Sequence, residues 1–417
     1  MAKAGAAQPQ KTIWIINNYA SHLETRHREL AEGFAANGYA TVVITSGFHH
    51  GRRCYLYEEP VTCVQRSPGV TFVYLKSRPP YPTNGGKRVL NMLDFCRMAR
   101  RYAGAIAKKT GAPQYIIASS APPFVWEAGY ALARRFGARF IAEFRDIWPL
   151  SLVEIQHVSP RHPLVVLLAQ IEKRAYRRAD AIVSTMPYAW RHVQQVAPVP
   201  REKIHWIPNG INTARADAEL AADTPLPRDL ADFLAAHWCG IYTGSIVKSE
   251  CLDFLLEVWE RLRDTDIYFA IVGDGHETEA VRRMIAKKKL DHVRMFPAID
   301  SSLVAKALDG ARCCVAACRD AGIARFGLSM YKLNNYLYSG VPTVFACDAE
   351  NVVQQAGQFA ISYGDAALFA RTILQVRALT EEKRAELARQ GKAVIRQEYD
   401  YPMLAKRYLT IMEGCAD

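Results

Sequence analysis

The amino-acid sequence predicts an α/β protein built from two doubly wound domains. Three observations support this fold class. The chain has 417 residues, which is long for one domain and comfortable for two. Apolar stretches rich in β-branched residues alternate with amphipathic helical stretches in both halves. Half of the residues are hydrophobic and 23% are charged, which is the balance of a soluble globular protein.

The first half alternates strands and helices from its start. Strands are predicted at "TIWIINNY", "YATVVITS", "QYIIASS", "ARFIAEFRD" and "DAIVSTM", with helices at "ETRHRELAEGFAANG" and "PFVWEAGYALARRFG" between them. Hydrophobic strands separated by helices indicate a parallel sheet covered on both faces. This domain is predicted to span residues 1–213.

The second half repeats the alternation, with strands at "CGIYTGS", "IYFAIVGDG", "VRMFPA", "ARCCVAAC" and "PTVFA". The polar stretch "ARADAELAADTPLPRD" is predicted as a linker plus the start of the new unit. The second domain is predicted over residues 214–395, and residues 396–417 contain a last helix. Ligands bind at the carboxyl ends of strands in doubly wound sheets, so both sheets are expected to face a central cleft.

Composition argues against several classes of protein. No apolar run reaches the ~18 residues of a membrane-spanning helix, and the first ten residues lack the apolar core of a signal peptide. We therefore expect a cytoplasmic protein with reduced thiols. Cys313, Cys314 and Cys318 do not have a zinc spacing and are predicted as buried strand residues. Asp264 and Asp266 precede a strand, which favours a solvated turn, and no metal is expected.

The net charge of +12 points to an anionic partner. Helical periodicity from Val89 to Lys109 places apolar residues on one face and a basic stripe on the other. The stripe consists of Arg97, Arg100, Arg101 and Lys108. One interpretation is a solvated face. The other is contact with anionic inner-leaflet lipid or an acidic acceptor, where each basic residue adds ~1 kcal/mol. No nucleic-acid motif accompanies the charge, so nucleic acid is not an expected partner.

The stretch "FGLSMYKLNNYLYSGVPTV" predicts a helix with Ser329 as its N-cap that runs to about Ser339, where Gly340 ends it. A helix N-terminus is a natural seat for a diphosphate. Lys332 in the first turn adds a full charge, and Asn335, ~4.5 Å further along the axis, is placed to hydrogen-bond a ribose. The alternative is an ordinary amphipathic helix with two solvated polar residues.

Several short stretches of the sequence are each a weak family signal, but their occurrence together in this order is a strong one. They are "NNYASHLETRHRELAEGFAANGYATVVITSGFHH", "SSAPPFVWEA", "EFRDIWP", "EKRAYRRADAIVSTM", "IPNGIN", "IVGDG" and "KLNNYLYSGVPTV". The set resembles the family 4 retaining glycosyltransferases of the GT-B type, and within them the bacterial O-antigen and capsule amino-deoxysugar (N-acetylfucosaminyl-type) transferases. The resemblance runs from about Lys11 to the C-terminus. It implies two Rossmann-like domains, with the donor in the second and the acceptor in the first, and a last helix that crosses back onto the first domain.

The resemblance also implies a reaction. A sugar passes from a nucleotide-diphosphate donor, with UDP favoured, to a glycan or lipid-linked acceptor in cell-surface polysaccharide assembly. The anomeric configuration is retained, and the departing phosphate itself deprotonates the acceptor hydroxyl. No metal or other cofactor is implied. The protein is expected to act in the cytoplasm, at the inner face of the cytoplasmic membrane.

The implied donor site departs from the family pattern. Its residues are Gly244, Ser245, Lys248, Gly273, Gly275, Gly327, Leu328, Ser329, Lys332 and Asn335. Two glutamates usually stand where this chain has Gly327 and Asn335, and an Arg and a Lys usually stand where it has Ser245 and Glu250. Lys332 matches a Lys of the branch resembled and is expected to take over the diphosphate charge. A neutral hydrogen bond contributes ~0.5–1.5 kcal/mol against ~1.5–3 for a charged one, so we expect weakened donor binding, not a dead site.

The implied acceptor side lies in the first domain. "EFRDIWP" places Arg145 near a phosphate or an acidic acceptor and Asp146 where it orients the acceptor hydroxyl, and Arg145, Asp146 and Lys332 are the predicted catalytic residues. The alternative is an internal Arg145–Asp146 ion pair. Ser21 and His22 replace the usual glycine pair of the first loop, and either contact phosphate or acceptor or belong to a shortened loop.

Two other functions stay open. A nucleotide-sugar 2-epimerase also uses two such domains, but its pattern does not fit "EFRDIWP" and "KLNNYLYSG". A catalytically silent partner that tethers a glycan assembly complex to the membrane would explain the missing glutamates and the basic stripe. An NAD enzyme is not expected, because "GDG" lacks the third glycine of the dinucleotide fingerprint and has Thr278 there.

Overall fold

The structure is a computed structural model that describes residues 11–23, 25–83, 85–319 and 322–414. The chain divides into two compact units. The first unit comprises Met1–Pro208 and Tyr401–Asp417, and the second comprises Asn209–Asp400. Each unit contains one large sheet with helices packed on it.

The first unit contains an eight-stranded sheet and a short hairpin. Its strands are β1 (Thr12–Ile16), β2 (Ala40–Ser46), β3 (Phe48–His49), β4 (Cys54–Tyr55), β5 (Val61–Ser67), β6 (Val70–Leu75), β7 (Tyr115–Ser120), β8 (Arg139–Phe144), β9 (Ala181–Ser184) and β10 (Ile204–Trp206). Its first helices are α1 (Thr25–Ala36), α2 (Gly86–Thr110), α3 (Phe124–Phe136), α4 (Leu150–Glu154), α5 (Pro163–Arg178) and α6 (Ala189–Val196). The sheet order is β10-β9-β8-β7-β1-β2-β6-β5, parallel except for the β5–β6 pair, and β3 and β4 form the hairpin.

The second unit contains a six-stranded parallel sheet, ordered β13-β12-β11-β14-β15-β16. Its strands are β11 (Trp238–Thr243), β12 (Ile267–Val272), β13 (Val293–Phe296), β14 (Cys313–Ala317), β15 (Thr343–Ala346) and β16 (Phe359–Ile361). Its helices are α7 (Thr213–Ala221), α8 (Arg228–Ala236), α9 (Leu252–Arg261), α10 (Thr278–Lys288), α11 (Val304–Asp309), α12 (Tyr331–Ser339), α13 (Val352–Gln355), α14 (Ala366–Arg377) and α15 (Glu381–Val394), and a π-helical turn at Ile395–Tyr399 follows. Since parallel strands end at one edge, the loops after β11, β12 and β14 meet there.

The last helix, α16 (Tyr401–Gly414), packs against α1 within the first unit. Its Tyr408 ring lies 5.6 Å from the ring of Phe34 in an edge-on contact. A Cβ atom on Gly33 would overlap the methyl group of Ala405. Glycine at this position of α1 therefore lets the two helices approach closely.

Two parts of the chain differ from the sequence-based prediction. Strands β5 and β6 were missed, although their apolar residues alternate on either side of a Pro-Gly turn. The predicted linker "ARADAELAADTPLPRD" instead begins with helix α7. The side chain of Asn212 caps this helix by accepting the N–H of Arg215 at 3.0 Å, so the alanine-rich stretch is helical up to Ala221.

The helix with the basic stripe is present as predicted and extends slightly further, from Gly86 to Thr110. Its apolar face is buried, with Phe95, Met98 and Ile106 at 7% exposure or less. Among the described residues, no helix is long and apolar enough to cross a membrane.

Candidate active site

The loops that follow β11 and β12 lie backbone against backbone. The N–H of Ile246 donates to the carbonyl oxygen of Asp274 at 2.9 Å. A Cβ atom on Gly273 would overlap the carbonyl oxygen of Gly244, and one on Gly275 would overlap that of Ile246. These two glycines thus make room for the neighbouring loop. Their predicted approach to a nucleotide stays a prediction.

The helix that carries Lys332 begins later than predicted. Met330 is its N-cap residue and makes no side-chain cap, and the helix starts at Tyr331. The predicted N-cap, Ser329, has its hydroxyl engaged elsewhere, because Oγ accepts the N–H of Asn209 at 2.8 Å. Asn334 in turn donates to the carbonyl oxygen of Asn209 at 2.8 Å. The first turn of α12 is therefore held in place by Asn209, and its N-cap residue makes no side-chain hydrogen bond to it.

The ammonium of Lys332 reaches the loop after β11. Its Nζ donates to the Tyr242 hydroxyl at 2.8 Å and forms an ion pair with Glu250. The Tyr242 hydroxyl donates onward to the carbonyl oxygen of Ser245 at 2.7 Å. Gly244 has a φ of +143°, and a Cβ atom there would lie 3.2 Å from Nζ. Glycine at 244 therefore suits both the backbone turn and the position of the ammonium.

This ion pair is shielded from solvent. The side chains of Lys332 and Glu250 keep only 12% and 17% of their exposure. Burial lowers the pKa of Lys332, and the carboxylate of Glu250 opposes that shift. Burial also raises the pKa of Tyr242, and the charge of Glu250 adds to the rise, so the hydroxyl stays protonated. The result is a buried ammonium beside an exposed loop, at the sheet edge where anions bind in doubly wound folds.

The two positions that lack the family glutamates differ in character. Gly327 follows a 3-10 turn and has a φ of +89°, which disfavours any residue with a Cβ atom. The glycine is thus required by the local backbone and is not simply a lost acid. Asn335 is half-buried in α12, and the described residues form no hydrogen bond with its amide. Asn335 therefore keeps the free amide that its predicted ribose contact needs.

The other predicted donor residues lie in the loop after β11 and just before α12. Ser245 and Lys248 are exposed in the loop after β11, and the Lys248 ammonium has no partner in the described part of the chain. Leu328 is half-buried between Gly327 and Ser329. Sequence reasoning treated Glu250 only as a missing lysine, whereas the structure makes it the partner of Lys332.

Arg145 and Asp146 lie at the end of β8 in the first unit and do not pair with each other. Asp146 accepts a hydrogen bond from the Trp148 indole at 2.9 Å and one from the Ser151 hydroxyl at 2.6 Å. The Nε of Arg145 donates to the carbonyl oxygen of Ser120 at 3.5 Å, and within the described chain its terminal nitrogens have no partner. The alternative of an internal ion pair is therefore wrong.

The first loop places its two predicted residues differently. Ser21 is buried, and its hydroxyl accepts the N–H of Leu23 at 3.3 Å, which closes a turn. His22 is half-buried, with Nδ1 2.7 Å from the Tyr74 hydroxyl and 3.3 Å from the Arg66 guanidinium. Burial lowers the pKa of His22, and the charge of Arg66 lowers it further. His22 is thus available to a ligand, and Ser21 serves the turn.

The sequence-based prediction missed a buried carboxylate that lies two residues before Arg145. Glu143 in β8 is fully buried and accepts hydrogen bonds from Arg26 at 2.8 Å and from His27 at 3.2 Å. Ser119 donates to it at 2.7 Å and Tyr408 at 3.3 Å. The signal was present, because an acidic residue inside the apolar strand "RFIAEF" must find partners when buried.

The basic stripe borders a groove formed by α2, α3 and α5. Its four members are exposed, and Arg97 pairs with Asp94 at 2.7 Å. Leu90 and Leu93 on the same face are 56% and 44% exposed. The groove has a volume of about 760 Å³ and is lined by Leu93, Cys96, Arg97, Arg100, Arg101, Phe124, Glu127, Ala128, Ala131, Leu132, Arg135, Leu167 and Ile171. Apolar and basic side chains therefore share one surface.

In the described ranges, no three His, Cys, Asp or Glu side chains come together as a group that could hold a metal ion. The absence of a metal from the mechanism remains a prediction.

Comparison with known proteins identifies relatives of both halves. The sequence model described as Glycosyltransferase Family 4 matches residues 23–215, and the one described as Glycosyl transferases group 1 matches residues 240–378. A putative colanic acid biosynthesis glycosyl transferase of Escherichia coli, WcaI, is 24% identical over 280 residues. That match covers 64% of this chain and 66% of the relative, just under two thirds of its length.

Solved structures with the same fold include two with bound uridine nucleotides. Anabaena Alr3699/HepE in complex with UDP superimposes with a TM-score of 0.67 and 13% identity, over 97% of this chain and all of that one. The Escherichia coli trehalose-6-phosphate structure with UDP-2-fluoro glucose gives a TM-score of 0.72 and 10% identity, over 97% of this chain and 99% of that one. At such identities the likeness shows the fold, and it confirms the predicted pair of α/β units.

Proposed function

Since the chain belongs to the GT-B glycosyltransferases, with a family 4 domain followed by a group 1 domain, we propose that it transfers a sugar from a nucleoside-diphosphate donor. The acceptor we propose is a glycan or a lipid-linked glycan of a cell-surface polysaccharide. The transfer retains the anomeric configuration and uses no metal. WcaI of Escherichia coli, with its putative role in colanic acid biosynthesis, supports the polysaccharide assignment.

The observation that carries this proposal is the position of the Lys332 ammonium. It lies at the strand-end loop after β11 and beside the first turn of α12. An ammonium and a helix N-terminus together stabilise the negative charge that develops on a departing diphosphate. Asn335, one turn further along α12, donates to a ribose hydroxyl in this proposal.

The proposed donor carries uridine. Both structures compared above hold UDP or a UDP-sugar analogue on the same fold. On the acceptor side, the free terminal nitrogens of Arg145 are suited to an acceptor anion. The carboxylate of Asp146, held by Trp148 and Ser151, is suited to orient a hydroxyl. The leaving phosphate then accepts the hydroxyl proton.

A second candidate is the catalytically silent partner. The observation that favours it is Gly327, whose φ of +89° excludes the family glutamate without backbone change. In that case the site would bind a nucleotide and release nothing. The 2-epimerase would convert the sugar while it stays on the nucleotide.

We expect UDP to bind with a Kd of about 1 μM, which is a binding free energy of about −8 kcal/mol. GDP and dTDP should bind more weakly. Calorimetric titration of the full chain measures this. A second assay measures the release of UDP from UDP-sugars, with and without a membrane extract as the source of acceptor. Acceptor-dependent release supports the transferase. Binding without release supports the silent partner, sugar conversion without release supports the epimerase, and no nucleotide binding at all contradicts the proposal.

The surface around the groove of α2, α3 and α5 is proposed to contact anionic lipid. Leu90 and Leu93 can enter the interfacial region while Arg100 and Arg101, which form no ion pair with the described residues, face phosphate groups. Leu167 of α5, 48% exposed, lies on the other side of the same groove. Apolar and basic side chains on one surface fit a membrane better than a merely solvated face.

Reversing Arg97, Arg101 and Lys108 to Glu should lower binding to anionic liposomes by roughly 100-fold or more, at ~1 kcal/mol for each basic residue. Co-sedimentation with phosphatidylglycerol vesicles measures this. The matched control reverses Arg282, Arg283 and Lys287 on α10, which changes net charge equally. Liposome binding that is unchanged in the α2 variant, or equally weakened in the control, would show that the surface is a solvated face.

A further inference from the structure

The ring of His22, in the loop after β1, meets an arginine of β5 and a tyrosine of β6. The Nη2 of Arg66 lies 3.3 Å from Nδ1 of His22, and the Tyr74 hydroxyl lies 2.7 Å from the same nitrogen. Arg66 also donates to the Tyr57 hydroxyl at 2.7 Å. Each of the polar partners named here is a nitrogen or a hydroxyl, and none is a carboxylate.

The hairpin β3–β4 repeats the arrangement with different residues. The Nη1 of Arg53 lies 3.1 Å from Nδ1 of His50, and the Tyr81 hydroxyl lies 2.9 Å from it. The guanidinium of Arg53 also lies over the Tyr81 ring, 5.2 Å from its centroid. The first unit thus contains two groups that each consist of one arginine, one histidine and one tyrosine.

The arginines determine which nitrogen of each histidine carries the proton. A guanidinium only donates hydrogen bonds, so Nδ1 of His22 and of His50 must accept. The ring proton of the neutral form is therefore on Nε2, which is left as a donor. Burial, aided by nearby arginines, lowers the pKa of His22 and lowers that of His50 to about 4. Both rings are thus neutral donors near pH 7.

The arginines lack the partners that a structural role would favour. No carboxylate among the described residues lies within ion-pair distance of Arg53 or Arg66. Arg52 and His49 add further basic groups, and the charge of Arg52 lowers the pKa of both His22 and His49. The ring of Tyr19, three residues before His22, lies 5.1 Å from the ring of His50, so the two groups are neighbours.

Basic groups held close together without a counter-charge create a local positive potential, and an anionic ligand is attracted to it. An interior brace needs no more than one arginine and a carboxylate, as the Arg28–Glu29 pair at 3.1 Å in the same unit illustrates. Here guanidinium forks and imidazole N–H groups provide several donors and no acceptor charge. That set matches an oxyanion with several oxygens and more than one negative charge, which is a phosphate ester.

We propose that the two Arg–His–Tyr groups bind the phosphate oxygens of an acceptor that carries a phosphate or diphosphate ester. This inference rests on the proposed function for the identification of the ligand as an acceptor. The chemistry is shared by a lipid-linked diphosphate and a soluble sugar phosphate. The experiment therefore uses one probe of each kind.

The probes are farnesyl diphosphate and glucose 6-phosphate, titrated by calorimetry into the full chain. Lys332→Ala is used as the background, so that diphosphate binding in the second unit does not contribute. Arg53→Gln and Arg66→Gln should each weaken binding of the phosphate ester by about 10-fold. Arg283→Gln, on the exposed face of α10, is the matched control and should change nothing. Arg66 is itself exposed, so its variant tests the inference even if Arg53→Gln fails to fold.

Stronger binding of farnesyl diphosphate assigns a lipid-linked acceptor, and stronger binding of glucose 6-phosphate assigns a soluble one. Either outcome supports the inference. Absence of binding, equal binding of glucuronate, or equal weakening by Arg283→Gln overturns it. UDP titration of the wild-type chain keeps the two proposals apart. UDP binding without phosphate-ester binding overturns this inference alone, whereas the reverse result contradicts only the proposed donor site.

Discussion

Replacing Lys332 with alanine should weaken binding of a nucleoside diphosphate by about 10- to 100-fold. The ammonium is the cation that the structure places beside the first turn of α12, and a charge-assisted hydrogen bond contributes about 1.5–3 kcal/mol. Burial and the Tyr242 hydroxyl hold it in one position, so little ordering is required when an anion binds. Calorimetric titration with UDP measures the change.

Glu250→Gln should have the opposite effect and tighten nucleotide binding several-fold. In the free protein the Glu250 carboxylate pairs with the same ammonium, and an incoming diphosphate must share it or displace it. A glutamine keeps the shape and a hydrogen bond but removes the competing charge. Weaker binding in Glu250→Gln would mean that the carboxylate positions the site instead of competing with the ligand.

The double variant separates two reasons for such a gain. If Glu250 acts by neutralising Lys332, its replacement should give no gain once the lysine is absent, and the two effects should not add. If Glu250 simply repels the diphosphate, the gain should persist in the Lys332→Ala background. The Lys287→Ala variant is the matched control, because this exposed lysine lies on α10 and is not part of the predicted donor site.

The sequence predicts the fold well because periodicity is a local property. The buried Leu333 and Leu337 are spaced for one face of a helix, and α12 ends at Ser339 as expected, with Gly340 at a φ of +85°. Its beginning was wrong by about a residue. The Ser329 hydroxyl has the chemistry of an N-cap, but it accepts from Asn209, 120 residues away. Competition from a distant donor cannot be read from local sequence.

The site could be predicted only in part for the same reason. That Lys332 is a basic residue near a helix N-terminus follows from the sequence. Its ion pair with Glu250, 82 residues away, exists only because β11 and β14 are neighbours in the sheet. The requirement for glycine at 327 follows from a backbone dihedral angle. Residue type alone suggested a lost acid there.

Replacing Glu143 with glutamine should destabilise the first unit by about 3–5 kcal/mol, because it removes the carboxylate that pairs with the buried guanidinium of Arg26. Arg26 is 1% exposed, and its guanidinium also donates to the carbonyl oxygens of Ile207 and Pro208. Burial by itself would raise the pKa of Glu143. The Arg26 charge and the His27 hydrogen bond outweigh it and hold that pKa well below its usual value. Native-state hydrogen exchange of the β8 amides measures the loss.

Glu172→Gln provides the matched control. Glu172 is equally buried, and it accepts from the Tyr176 hydroxyl at 2.9 Å and from His192 at 2.7 Å, with no arginine at the carboxylate. A glutamine oxygen can accept the same hydrogen bonds, so the expected loss is about 1 kcal/mol. Equal losses in the two variants would show that the Arg26 charge does not need Glu143.

The same network makes the stability of the first unit depend on pH. Burial lowers the pKa of His27 to about 4, although the hydrogen bond to Glu143 opposes the shift. An unfolded histidine titrates near ~6.5, so the contribution of His27 is fully present above that pH and is lost as the pH falls towards 4. A shift of this size corresponds to about 3 kcal/mol. The depressed pKa of Glu143 acts in the same direction at still lower pH, because its contribution is present above the unfolded value of ~4.3 and is lost on protonation. Hydrogen exchange of β8 should therefore show a free energy of opening that falls between pH 6.5 and 4, and a constant value over that range would exclude a buried neutral His27.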